Sequence, residues 1–115
     1  MDETEATRGP QCDGAVTLAF SILGKRWNGM ILDALGADAA SFVRLRRAVT
    51  GISDAVLSDR LAELTDAGLV VRDVDPGPPI AVSYTLTDAG RQIVPVLRQL
   101  GRWAEENLVV QHASG

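Results

Sequence analysis

Apolar positions recur at helical spacing in five stretches of the chain and alternate, strand-like, in two. The first helical stretch runs roughly from Gly14 to Leu23, with Val16, Ala19, Phe20 and Leu23 on one face and Gly24 at its end. Lys25 and Arg26 follow, where the helix dipole favours cations. The second stretch covers about Trp27 to Leu35, with Met30, Ile31 and Leu35 predicted inward and Gly36 as the stop. Trp27 is expected to be a core anchor, because lone aromatics at helical spacing usually pack. Ala37 to Ala40 reads as a loop before Ser41, the cap of a third helix, Phe42 to Val49. That helix keeps Phe42, Leu45 and Val49 together and turns Arg44 and Arg47 outward. Arg46 lies nearer the buried side, where a structural ion pair and a partner contact are both open readings.

Thr50-Gly51-Ile52 is a short connection containing a glycine, as a helix-turn-helix requires, and Ile52 is placed to plug the angle between the two helices. The helix after it is the best defined. Ser53 is an N-cap whose hydroxyl accepts a free backbone N–H, and Asp54 adds negative charge to the first turn. Leu57, Leu61 and Leu64 fall at i, i+4 and i+7, and Gly68 closes the helix as a residue that takes positive φ. Ala55, Ser58, Asp59 and Ala62 occupy the far face, with Val56 and Arg60 on its flanks. Side chains this short let a helix approach a groove floor closely, whereas a plain surface helix carries more long Lys and Glu. The 41–67 segment is therefore expected to read DNA.

Leu69 to Val74 alternates with β-branched residues, and Ile80 to Leu86 repeats the pattern after Asp75-Pro76-Gly77-Pro78-Pro79, which cannot continue a strand. The pair predicts a hairpin wing over about 69–86, with Arg72 and Ser83 as candidate backbone contacts; the competing reading is a hairpin that only seals the core. Thr87 caps a last helix that Asp88 starts and that reaches about Leu108, with Pro95 expected to bend it. Its apolar residues Ile93, Val94, Leu97, Leu100, Trp103, Ala104 and Leu108 exceed what so small a domain can cover. A second subunit related by two-fold symmetry is the economical cover. The expected fold class is α+β, mainly helical: a winged helix-turn-helix with extra N- and C-terminal helices (about 14–24 and 88–108) forming a dimer interface. A disordered acidic arm is expected over 1–11, the domain over 12–108 and a flexible tail over 109–115.

The length of 115 residues fits one domain with a small core, and only five residues are aromatic. No apolar run approaches the ~20 residues of a membrane helix, the first ten residues are too acidic for a secretory signal, and a lone cysteine excludes an internal disulfide. A cytoplasmic location is the resulting expectation. The net charge of −4 argues against a general nucleic-acid coat protein. Yet the balance is uneven. Asp2, Glu3, Glu5 and Asp13 face Arg8 alone, while Ser41 to Arg60 holds four arginines against Asp54 and Asp59. Catalysis is not expected: the only His, His112, lies in the tail, Cys12 has no neighbouring base in sequence, and no phosphate loop or metal-ligand cluster occurs. No cofactor or metal is implied. A winged fold used purely for protein contacts is the rival reading, and an apolar outward stripe on the second motif helix would favour it.

Cys12 before the first helix, LGKRW…ILDAL from Leu23, FVRLRRAVTGIS from Phe42, VLSDRLAELTDAGLVVR from Val56, PP…V-Y-LT from Pro78 to Thr87 and AGRQIVPVLRQLGRWAEENL from Ala89 occur in one order and spacing. Together they resemble the HxlR-type winged helix-turn-helix regulators, relatives of the MarR group. The resemblance implies a bacterial homodimeric transcriptional regulator that pairs through its first and last helices and puts the second motif helix in the major groove of an operator. Carried onto this chain, Ser53, Val56, Ser58 and Arg60 read the groove, and Arg44, Arg47 and Arg72 grip phosphates. Family wings often carry an arginine after the double proline; here Ile80 and Ala81 follow, so the wing is expected to hold DNA weakly or read it differently. Some members sense oxidants or electrophiles through a cysteine at the place of Cys12. A thiol at a helix N-terminus suits that role. Asp13 beside it works against the thiolate, and the alternative is a small residue packed at the dimer seam. A small effector held between the last helix and the motif is a third way to regulate such a protein.

Overall fold

Three hydroxyls begin three of the helices. Ser41 accepts the Arg44 N–H at 3.2 Å, Ser53 the Val56 N–H at 3.2 Å and Thr87 the Gly90 N–H at 3.1 Å, each satisfying a donor the first turn leaves open. The computed structural model describes residues 14–108. In order these form α1 over residues 14–23, α2 (Asn28–Ala37), α3 (Phe42–Ala48), α4 (Asp54–Asp66), β1 (Val70–Asp75), β2 (Ala81–Leu86) and α5 (Asp88–Asn107). β1 and β2 pair antiparallel from Val70 opposite Leu86 to Asp75 opposite Ala81. Ala40, expected in a loop, adds a bridge to Tyr84, with N–H···O distances of 3.1 and 2.8 Å.

α2, α3 and α4 enclose the core with the base of the hairpin. Ile31, Leu32, Leu35, Leu45, Val49, Leu57, Leu61, Leu64, Val70, Leu86 and Val94 are all buried, and Ile52 fills the angle between α3 and α4. The α4 stripe is the predicted one. At its end the Gly68 N–H donates to Thr65 O and the Leu69 N–H to Leu64 O, both at 3.0 Å, with Gly68 at φ +80°. α2 differs from expectation. Its buried stripe is Asn28, Ile31, Leu32 and Leu35, which leaves Met30 on the opposite face at 48% exposure. Gly36 does not stop the helix. It lies within it because a Cβ there would already meet Val94 at 3.0 Å, so α5 packs against a bare backbone. Trp27 packs against the core as an anchor, with the Arg26 guanidinium 4.5 Å above its ring.

α5 remains a single helix across Pro95. Its start is locked to the α4–β1 turn: Thr87 Oγ1 donates to Gly68 O at 2.7 Å and the Thr87 N–H to Leu69 O at 3.0 Å. Gly90 faces the same turn so closely that a Cβ would stand 2.2 Å from Leu69 O. Gly90→Ala therefore sets a helix-propensity gain of about 1 kcal/mol against an overpacking cost of roughly 1–3 kcal/mol or more. Because the clashing atom is backbone, the cost wins. A melting temperature several degrees below the native value is expected, and a rise would contradict this packing.

Candidate nucleic-acid interface

Opposite its buried leucines, α4 exposes Ala55, Ser58, Asp59 and Ala62, with Val56 at 38% exposure beside them. Ser53 sits at the head of this face, its oxygen already engaged as the cap. Arg44 and Arg47 are exposed on α3 and take part in no ion pair among the described residues. Arg46 resolves to its structural reading, because its Nη1 donates to Asp54 Oδ1 at 2.9 Å and ties α3 to the first turn of α4. At 42% and 63% side-chain exposure that pair contributes only about 0–1 kcal/mol.

Arg60 is where the structure corrects the sequence reading. It precedes Leu61 by one residue and follows Leu57 by three, which turns it toward the buried stripe. Its side chain is 18% exposed and pairs with Asp59 at 2.5 Å and Glu63 at 3.2 Å. A guanidinium so engaged braces the helix and is not presented to a groove. Behind it lies a cluster that sequence reading missed. Glu63 joins Lys25 at 2.7 Å, Arg60, and the Asn28 amide, which donates to Glu63 Oε1 at 3.2 Å and to Ile22 O at 2.8 Å. Asn28 is fully buried, so the cluster pins α4 to the α1–α2 turn. The available signal was the i, i+3, i+4, i+7 stripe of α2, which places a polar residue at a core position.

The hydrogen bonds from Lys25 and Asn28, with Arg60 nearby, hold the Glu63 carboxyl below its usual 4.5 despite opposing desolvation. The folded protein thus favours the ionised form more than the unfolded chain does. The cluster's contribution is complete above about pH 4.5 and is lost as pH falls through the lower folded value. Glu63→Gln is expected to lower the melting temperature at pH 7 and to flatten its decline as pH falls below about 4.5. Parallel melting curves for the two proteins across that range would contradict the cluster's role.

On the hairpin, Arg72 stands opposite Tyr84 and Ser83 opposite Asp73. Adjacent strand residues point to opposite faces, so Arg72 and Ser83 do not share a surface. Arg72 lines a cleft with Ser58, Ala62, Thr65 and Tyr84 between α4 and the hairpin, while Ser83 is half-buried. The tip, residues 76–80, is exposed but carries no cation, and Asp73 and Asp75 lie just below it. The electrostatics of this wing therefore disfavour a phosphate grip.

A second exposed surface is apolar. Val16, Leu18 and Phe20 of α1 and Val96, Leu100 and Trp103 of α5 are between 44% and 68% exposed, as is Leu108 beyond α5. Cys12, the predicted arm and the predicted tail lie outside the described residues. Among the described residues no group of acidic, His or Cys side chains could hold a metal, and no helix is long and apolar enough to cross a membrane.

Comparison with known proteins places this geometry. Residues 22–112 match the HxlR-like helix-turn-helix family. The chain is 40% identical over 88 residues to the uncharacterized HTH-type transcriptional regulator YvaP of Bacillus subtilis (strain 168), covering 76% of this chain and 82% of that protein. The reduced form of the transcriptional regulator YodB from B. subtilis superposes with a TM-score of 0.75 at 36% identity, over 81% of this chain and 91% of the other. YodB has also been solved diamide-treated and quinone-bound. The redox regulator HypR in its reduced form superposes with a TM-score of 0.77 at 29% identity, over 86% and 98%.

Proposed function

Because the chain belongs to the HxlR family of helix-turn-helix transcriptional regulators, we propose that it binds a specific double-stranded DNA operator as a homodimer. α4 enters the major groove and presents Ser53, Ala55, Val56, Ser58 and Asp59 to base edges. Arg44 and Arg47 on α3, the helix that crosses the backbone, contact phosphates. The observation that carries this reading is the short-chained outward face of α4 beside two arginines with no ion pair among the described residues. Arg72 contributes from the cleft, and the wing adds little. Two copies join through the exposed apolar faces of α1 and α5, so the operator is pseudo-palindromic with half-sites about 34–36 Å apart, or a multiple of that.

Redox control through Cys12 is a second element, favoured by the likeness to YodB and HypR. Two Cys12 thiols, one per subunit, would lose two protons and two electrons to an oxidant such as diamide and join as a disulfide; a mixed disulfide with a small thiol is the other product. A non-redox effector held between the last helix and the motif is the alternative signal. Selection of bound fragments from the source genome, then footprinting with and without diamide, tests both layers. A near-symmetric protected site, lost on oxidation in the native protein and retained in Cys12→Ser, is expected. Retention of no fragment over bulk DNA would remove the operator function, and an identical diamide response of the two proteins would remove the sensor.

A further inference from the structure

We infer that Asp59 selects a cytosine in each half-site by accepting a hydrogen bond from the exocyclic amino group of that base in the major groove. The inference rests on the reading of α4 as the groove-entering helix and deepens it. Opposite the buried Leu57, Leu61 and Leu64, the centre line of the outward face is formed by residues 55, 59, 62 and 66. Ala55 and Ala62 carry no hydrogen-bonding group, and Asp66 belongs to the last turn. Asp59 is thus the one side chain on the leading part of that line able to read a base by hydrogen bonding.

Its carboxylate is exposed at 71% yet braced. Oδ2 accepts from Arg60 Nη2 at 2.5 Å, Arg60 is itself held by Glu63, and Oδ1 has no partner among the described residues. The neighbouring carboxylates are spent otherwise: Asp54 on Arg46, and Glu63 on Lys25, Asn28 and Arg60. Of these carboxylates Asp59 alone lies on the leading part of the outward centre line, where its Oδ1 is open to a base donor.

A carboxylate accepts and cannot donate, so on a phosphate-lined surface it is repelled unless it meets a donor. Guanine presents N7 and O6 in the major groove and thymine O4, all acceptors. Adenine sets its N6 amino group beside the N7 acceptor, whereas cytosine offers N4 alone. Cytosine is therefore preferred, adenine is tolerated at a cost, and guanine and thymine are rejected. A wrong pair at that position is expected to lower affinity roughly 5- to 100-fold.

The test is selection of binding sites from a randomised duplex library with the full native chain, Asp59→Ala and Asp59→Asn, with melting curves used to check that loss of the Arg60 pair leaves the fold intact. The native protein should enrich a C:G pair of one orientation at one position per half-site. Asp59→Ala should flatten that position and leave the others, and Asp59→Asn should move it toward adenine, whose N6 and N7 suit an amide. Preferences unchanged in both variants would overturn the inference alone. So would a uniform gain in affinity for all sequences in Asp59→Ala, which would mean the carboxylate only repels phosphates. A native protein that enriches no sequence would overturn the DNA-reading function together with this inference.

Discussion

The variant carrying Leu100→Glu and Trp103→Glu is expected to sediment as a monomer and to lose operator affinity by about 10²–10⁴-fold, the avidity of two linked half-site readers. Val96, Leu100 and Trp103 lie at i, i+4 and i+7 along α5, next to the stripe of Ile93, Val94 and Leu97 that faces the core. One helix therefore carries two apolar stripes, and a single copy covers only the first. Leaving such a surface in water is costly at roughly 25 cal/mol per Å² of apolar area, and a second copy removes that cost. Carboxylates at the centre of the contact would be buried without partners, so the expected effect is dissociation and not mere weakening. Both residues are exposed in the single chain, so the monomer should keep the native helical content. A native protein that is itself monomeric at micromolar concentration, or a variant that stays dimeric, would rule out this face as the interface.

Arg44→Ala with Arg47→Ala should give the next largest loss, and its signature is in salt dependence. With two phosphate contacts per copy, four in a dimer, the slope of log affinity against log salt should be shallower by about 3.6. Between about 50 and 200 mM salt that difference amounts to roughly 100-fold, so native and variant affinities converge as salt rises. Sequence preference should survive, because phosphates carry none. The melting temperature should hardly change, since neither side chain is buried or paired among the described residues. An unaltered slope would exclude these arginines from the backbone contact, whatever the affinity did.

The placement of helices was legible because its causes are local. Ser41, Ser53 and Thr87 cap as their positions predict, since a hydroxyl reaches only its own first turn. Gly68 ends α4 because the turn there needs positive φ. The leucine stripe of α4 and the Pro-Gly interruption between two alternating runs depend on spacing alone, and both elements fold where they were expected. The outward face of α4 followed directly, since it is whatever the buried stripe leaves over.

What failed did so where the outcome depended on a neighbour distant in sequence. Met30 and Gly36 depart from expectation because the core formed with α3, α4 and the hairpin takes the Ile31, Leu32 and Leu35 side of α2, and because Val94 of α5, distant in sequence, leaves little room for a side chain at Gly36. Arg60 looked like a reader from its flank position, but Glu63 and Asp59 claim its guanidinium. The contact of Asn28 with Glu63 has no local signature, because it spans 35 positions and joins the first turn of α2 to α4. The order of elements, their caps and the short-chained outward face of α4 follow from the sequence, because all are consequences of contacts within a few residues. Which charged groups remain available at that face depends on the packing of the helices, because ion pairs form between whichever side chains the fold brings together.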